Sequence, residues 1–235
     1  MNDEIYQRTE ILLGKENVEK LKDKHVLICG IGGVGSFALE ALARIGVGNI
    51  TIVDKDTVDI TNLNRQIIAT LDTVGKKKVE VAQKRINNIN EKIVVDAIYE
   101  NITKDNIEAI FDMVNYDYVL DCVDNIEAKI AIILEANKRN IKCISSMGMA
   151  NKLEPLKIEV TDIYKTNTCP LAKKIRKILK AEGIKKQKVV YSTELPTKKT
   201  EEEKKIYKNT LGSVSFVPSV GGLIMASEVV KDIIK

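Results

Sequence analysis

Five short apolar runs mark the first two thirds of the chain, at residues 26–29, 50–53, 93–98, 118–120 and 141–144. They are rich in Val and Ile, and the apolar positions are mostly consecutive, which predicts strands buried on both faces. Between them the spacing changes to a helical one. Residues 36–45 are Ala- and Leu-rich with no internal glycine. Residues 76–89 place Val79, Ala82 and Ile86 on one face, and residues 126–139 do the same with Ala128, Ile132 and Ala136. Strands alternating with helices predict an α/β fold: a Rossmann-like, mostly parallel sheet flanked by helices. Residues 160–213 fit this scheme poorly and are expected to add antiparallel strands and a basic loop. Order resumes over 217–234, where Pro218, Gly221 and Gly222 precede an expected closing helix. No repeat or linker divides the chain, so residues 1–235 read as one nucleotide-binding domain with a basic loop insertion around 163–210.

Composition narrows the class. With 235 residues, 44% of them apolar and 30% charged, the chain is long enough for a well-buried core. The longest apolar runs, such as 130–134, are far too short to cross a bilayer. The opening residues carry no basic-then-apolar pattern, so a cytoplasmic location and no membrane partner are expected. The cysteines Cys29, Cys122, Cys143 and Cys169 form no Cys-x-x-Cys pair, so no zinc site is expected. The first three end or lie within apolar runs and read as buried small hydrophobes. The net charge of +4 is uneven: residues 165–208 carry fourteen Lys or Arg against five Glu. That asymmetry predicts one basic surface on a mildly acidic body.

The sharpest local signal is Gly30-Ile31-Gly32-Gly33-Val34-Gly35, placed between a strand and a helix. Glycine here permits a tight turn and a close approach of backbone to phosphate, with a helix N-terminus behind it. Asp54 closes the second strand nineteen residues after Gly35, where a carboxylate can accept from ribose hydroxyls. These features suit any adenine nucleotide. The polar segment from Asp54 through Asp56 to Gln66 follows at the sheet edge where ligands bind. Asn64, Arg65 and Gln66 supply donors there, and Arg65 can grip phosphate oxygens bidentately. Read alone, the segment is equally a capped surface loop, and Lys78 a solvated charge. Asp124 and Asn125 follow the fourth strand, where a carboxylate can hold Mg²⁺ beside a polyphosphate.

As a set these residues resemble the E1-like superfamily of adenylate-forming enzymes, from about residue 13 to residue 235. The shared pattern is Gly-x-Gly-Gly-Val-Gly, Asp-x-Asp-x-Val, Asn-x-Asn-Arg-Gln, Lys78 and Asp-Cys-x-Asp-Asn. Within that superfamily the chain is most similar to the tRNA threonylcarbamoyladenosine dehydratases. Asn64-Arg65-Gln66-Ile67, Val160-Thr161-Asp162-Ile163, Cys169-Pro170-Leu171-Ala172 and Tyr191-Ser192-Thr193-Glu194 carry that similarity, with residues 212–219. The resemblance implies an ATP-dependent enzyme that adenylates the carboxylate of N6-threonylcarbamoyladenosine in tRNA and cyclises it with loss of AMP. It implies ATP and Mg²⁺ as cofactors, and Arg65, Lys78 and Asp124 as catalytic residues, with Asp124 holding Mg²⁺. Gly30, Gly32, Gly33, Gly35, Asp54, Asp56, Asn62, Asn64, Gln66 and Asn125 would complete the nucleotide site with Arg65 and Lys78. A homodimer and a sulfur-transfer protein partner are implied as well.

Two other functions compete at this stage. One is an E1-like adenylyltransferase for the C-terminus of a ubiquitin-like sulfur carrier, against which the missing zinc pairs count. The other is a nicotinamide-dependent oxidoreductase or a nucleotide sensor, in which Arg65 and Asp124 have no clear task. Cys169, before Pro170, invites comparison with a thioester nucleophile. The single histidine, His25, begins a strand and offers no Cys-His dyad argument. Lys173, Lys174, Arg176, Lys177 and Lys180 have spacings that can line a helix and touch RNA phosphates.

Overall fold

The computed structural model describes residues 3–208 and 210–235. A single seven-stranded sheet runs β3-β2-β1-β4-β5-β7-β6. Its strands are β1 (His25–Cys29), β2 (Asn49–Val53), β3 (Val94–Ile98), β4 (Tyr118–Asp121), β5 (Lys142–Ser146), β6 (Ile158–Asp162) and β7 (Lys188–Ser192). β1 pairs in parallel with β2 on one side and β4 on the other. The strand order therefore reverses at β1/β4, and loops leaving their carboxyl ends diverge to open a crevice.

Alternate residues of β1 serve opposite layers. Val26 and Ile28 join a cluster with α3 (Gly35–Ile45), α4 (Lys78–Ile89) and α9 (Phe216–Ile234). Leu27 and Cys29 join another with α5 (Ile107–Asp112) and α6 (Ile126–Lys138). This two-sided burial is why the strand runs are continuously apolar. Two helices ahead of the sheet, α1 (Gln7–Leu13) and α2 (Lys15–Lys22), were not expected; α2 buries Val18 and Leu21.

The span 163–210 is not a loop insertion. It contains α7 (Pro170–Ala181), all of β7 and α8 (Glu201–Tyr207). β7 is woven into the sheet, parallel to β5 and antiparallel to β6. Three buried residues of α7, Ala172, Ile175 and Leu179, pack into a third cluster with Val189 and Tyr191 of β7. Part of the charged run at 198–205 is also helical. Thr200 Oγ1 accepts the Glu203 N–H at 3.2 Å, and the Glu203 carboxylate accepts the Thr200 N–H at 2.7 Å. This reciprocal cap satisfies two otherwise orphaned donors at the start of α8.

The closing helix begins earlier than its glycines suggest, and Pro218 sits in its first turn, where no N–H is needed. Gly222 lies inside α9. A Cβ there would overlap the carbonyl oxygen of Val34, so glycine is what lets α9 lie directly on the start of α3.

Candidate active site

The carboxyl ends of β1, β2 and β4 open onto one cavity of about 560 Å³. Gly30 turns the chain out of β1 with φ +89°, and a Cβ would sit 3.0 Å from the Cys122 carbonyl. Gly32 and Gly33 line the cavity beyond it. No side chain caps α3, which leaves its positive end to an anion. Gly35 does not line the cavity. It is buried beneath the turn, where a Cβ would overlap the Gly30 carbonyl oxygen.

Asp54 is nearly buried and braces this turn. One carboxylate oxygen accepts the Ile31 N–H at 2.6 Å, the other the Asp56 N–H at 2.8 Å. Each oxygen keeps a further lone pair for a hydroxyl. Lys78 is 5% exposed and its Nζ lies 3.0 Å from Asp56 Oδ2. The amine thus reaches the cavity from the first residue of α4 with its carbon stem covered.

The polar segment folds as a short turn of helix. Asp59 and Asn62 cap each other: Asn62 Oδ1 accepts the Asp59 N–H at 3.1 Å. Arg65 Nη1 donates to the Thr61 carbonyl at 2.8 Å and to Asn64 Oδ1 at 2.9 Å. Those bonds fix the guanidinium while Nε and Nη2 have no protein partner among the described residues. Asn64 is not on the cavity wall. It aligns Arg65 and donates through Nδ2 to the Ser213 carbonyl at 3.0 Å. Gln66 is buried at the wall, and its Oε1 is the one buried side-chain polar atom without a partner among the described residues. A buried acceptor left without a donor in a cavity-lining residue marks Gln66 as a group a ligand could engage.

Asp124 and Asn125 line the cavity just beyond the end of β4. Asp124 is exposed, and Asn125 Oδ1 caps α6 by accepting the Ala128 N–H at 2.9 Å. Eleven of the residues proposed from sequence thus share one cavity: Gly30, Gly32, Gly33, Asp54, Asp56, Asn62, Arg65, Gln66, Lys78, Asp124 and Asn125. Gly35 and Asn64 stand behind it.

Sequence reasoning missed the support beneath the wall. Lys129, inside α6, donates to Asp121 Oδ2 at 2.8 Å and to the Ser146 carbonyl at 2.9 Å. Asp121 Oδ1 receives the Val123 N–H at 3.3 Å, one residue before Asp124. Burial raises the Asp121 pKa despite Lys129. The available signal was a lysine amid Ala128, Ile130, Ala131 and Ile132. Leu211, Ser213 and Pro218 also reach the cavity, from far along the chain.

The cysteines and histidine take structural places. Cys169 is 3% exposed and caps α7, its Sγ accepting the Ala172 N–H at 3.5 Å. Burial pushes the thiols of Cys29 and Cys122 up, and that of Cys143 up to about 12. His25 Nε2 bonds Thr51 Oγ1 at 2.8 Å, and burial lowers its pKa. On α7, Lys173, Lys174, Lys177 and Lys180 face solvent. Arg176 does not join them: its Nη1 donates to the carbonyl and hydroxyl of Thr166, each at 2.7 Å. Among the described residues no helix is long and apolar enough to cross a membrane.

The ThiF family matches residues 6–235. The tRNA threonylcarbamoyladenosine dehydratase of Bacillus subtilis is 47% identical, over 98% of this chain and 94% of its own. Two solved structures of the Escherichia coli tRNA N6-threonylcarbamoyladenosine dehydratase superimpose closely. The complex with ATP has a TM-score of 0.89 at 33% identity, covering 98% of this chain and 93% of the other. The complex with AMP has a TM-score of 0.90 at 34% identity, covering 99% and 96%. The E. coli molybdopterin-synthase adenylyltransferase is 38% identical over a shorter stretch, 60% of this chain and 54% of its own. The chain belongs to the ThiF family, and tRNA threonylcarbamoyladenosine dehydratases are among the relatives that match it along nearly its whole length.

Proposed function

We propose that the chain is an ATP-dependent dehydratase that adenylates the carboxylate of N6-threonylcarbamoyladenosine in tRNA and closes it into a ring. The observation that carries this reading is convergence: the glycine turn, Asp54, Arg65, Lys78 and Asp124 surround one cavity. The carboxylate attacks the α-phosphorus of ATP and pyrophosphate departs. A nucleophile within the same modified base then attacks the acyl carbon, AMP leaves, and the net change is loss of one water. A carboxylate oxygen leaves poorly and AMP leaves well, so the protein's task is to position groups and stabilise charge.

The residues divide that task. The glycine turn and the end of α3 receive phosphate, and Asp54 accepts from the ribose while holding the turn. Arg65, fixed by Thr61 and Asn64, presents Nε and Nη2 to phosphate oxygens as negative charge builds on pyrophosphate. Lys78 exchanges part of its contact with Asp56 for a phosphate. Gln66 and Asn62 orient the nucleotide. Asp124 suits Mg²⁺ as a single carboxylate: among the described residues no three His, Cys, Asp or Glu cluster, so phosphate and water must supply the other ligands. That cation would neutralise phosphate charge.

The exposed lysines of α7 supply sequence-independent contacts for tRNA phosphates. A homodimer and a sulfur-transfer protein partner belong to this proposal through the family resemblance. The deciding experiment incubates the protein with ATP, Mg²⁺ and tRNA bearing the threonylcarbamoyl group, then analyses nucleosides by mass spectrometry. A nucleoside lighter by one water is expected, with AMP and pyrophosphate in equal amounts. An unchanged nucleoside, or exchange stimulated by a small carrier protein instead, overturns the assignment.

A further inference from the structure

A second cavity, of about 420 Å³, adjoins the first. The two share Leu211 and Ser213, which therefore form a partition between them. The chain neighbours Ala150 and Asn151 line the first and the second cavity respectively. Asn151 is the knot that shapes it. It adopts φ +58°, a left-handed conformation that Asn tolerates better than most residues. Its N–H donates to the Gly212 carbonyl at 2.8 Å, its Oδ1 accepts the Gly212 N–H at 2.7 Å, and its carbonyl accepts the Thr197 N–H at 2.7 Å. Three segments of chain are thus pinned around one hollow. Tyr207, the last residue of α8, lines this hollow while 56% exposed, and Lys198 and Lys199 stand beside it.

We propose that this second cavity seats the modified adenine of the substrate, stacked on Tyr207, while its carboxylate arm passes the Leu211–Ser213 partition to ATP. This rests on the dehydratase reading above. The chemistry demands such a neighbour. The reactive carboxylate is only a few bonds from the base, so the base must sit beside the nucleotide cavity without filling it. An aromatic face beside a cation is the usual platform for an unstacked RNA base, with Lys198 serving an adjoining phosphate while Lys199 is held by the carbonyls of Lys208 and Thr210. The partition is also tied to the chemistry: the Ser213 carbonyl is held by Asn64, which aligns Arg65.

The test has a binding arm and a turnover arm, both on the full chain. In the first, N6-threonylcarbamoyladenosine nucleoside is titrated onto protein saturated with a non-hydrolysable ATP analogue. Wild type is expected to bind it, Tyr207→Ala to bind about 5- to 100-fold more weakly, and Tyr207→Phe to bind like wild type. ATP affinity should be equal in all three. In the second arm, Tyr207→Ala is expected to raise the KM for modified tRNA by a similar factor, with kcat at saturation little changed. No nucleoside binding to wild type, or equal binding by Tyr207→Ala, overturns the proposal. So does a parallel loss of ATP affinity, which would mark Tyr207 as structural only. Tyr207-dependent binding without any dehydration of tRNA would sink the dehydratase reading and leave the seat standing.

Discussion

Lys129 Nζ lies 2.8 Å from Asp121 Oδ2, and neither side chain has any exposure to solvent. The pair also holds the Ser146 carbonyl and the Val123 N–H, so it joins the ends of β4 and β5 beneath the Asp124 loop. Removing one partner of such a pair leaves an uncompensated buried charge. Lys129→Met is expected to cost about 3–5 kcal/mol at neutral pH, measured by urea unfolding. Burial raises the Asp121 pKa above its unfolded value. A group of that kind stabilises the fold below its unfolded pKa and loses the contribution as pH rises through the folded one. Lys129 opposes that rise, so without it the Asp121 pKa climbs further and Lys129→Met loses more than wild type as pH increases. Its deficit should be widest near neutrality and narrow in acid, and a deficit independent of pH would contradict this account.

Arg65 and Asp124 line the same cavity, and they should fail differently. Arg65→Ala is expected to lower kcat by about 10²–10³-fold, the usual loss for one charge-stabilising donor. Arg65→Lys should recover little, because a single ammonium cannot reproduce the bonds to Thr61 and Asn64 while also gripping phosphate. Asp124→Asn should lose rate comparably, with partial recovery at raised Mg²⁺. Steady-state kinetics over a range of Mg²⁺ separates the two, and identical responses to the metal would remove Asp124 from the metal role.

Gly35→Ala should be far worse than its chemistry suggests. The new methyl would overlap the Gly30 carbonyl oxygen and lie 3.1 Å from Cys122 Cβ. The turn must then shift, so both stability and ATP binding should collapse together. Gly75→Ala is the control: nothing lies within 4 Å of its added Cβ, and only the φ of +84° is strained. A loss of about 1–2 kcal/mol with ATP affinity intact is expected there. Calorimetry with and without ATP distinguishes the outcomes.

Asp232 sets a separate acid dependence. Tyr118 Oη and Lys188 Nζ donate to its Oδ2 at 2.9 and 2.6 Å. Burial alone would raise this carboxyl's pKa, but the bonds from Lys188 and Tyr118 outweigh it and hold the value low. A depressed folded pKa means stability that is present above the unfolded value and lost as pH falls through the folded one. Asp232→Asn should cost about 1–3 kcal/mol at about pH 7, and the cost should shrink as pH falls through the depressed folded pKa. An undiminished difference in acid would show that the carboxylate's charge is irrelevant.

Much of this architecture was legible in the sequence because buried parallel strands write an unbroken apolar signature. All five early strands appear within a residue or two of where their Val and Ile runs place them. Over 160–213 the expected antiparallel pairing is present as β6 and β7, but the expected basic loop is largely α7, β7 and α8, whose lysines obscure their periodicity. Ala172, Ile175 and Leu179 already repeat at helical spacing, but the exposed lysines between them dominate local composition. β7 hides for a related reason: Val189, Val190 and Tyr191 make a very short run bordered by Lys185, Lys186 and Lys188. At the site, spacing located the right segments but not the division of labour. Gly35 and Asn64 share their motifs with cavity residues, yet one serves packing and the other alignment. Lys129 escaped because its partner, Asp121, is visible only once two strands lie side by side.

The wall of the first cavity begins at Gly30 and is finished by Ser213 and Pro218, nearly two hundred residues later. Synthesis proceeds in the same direction. A nascent chain that has already formed its glycine turn still lacks one side of the receptacle until α9 leaves the ribosome and Gly222 settles on α3. Nucleotide can then act as a late clasp, favouring only the finished chain over partly made or truncated ones.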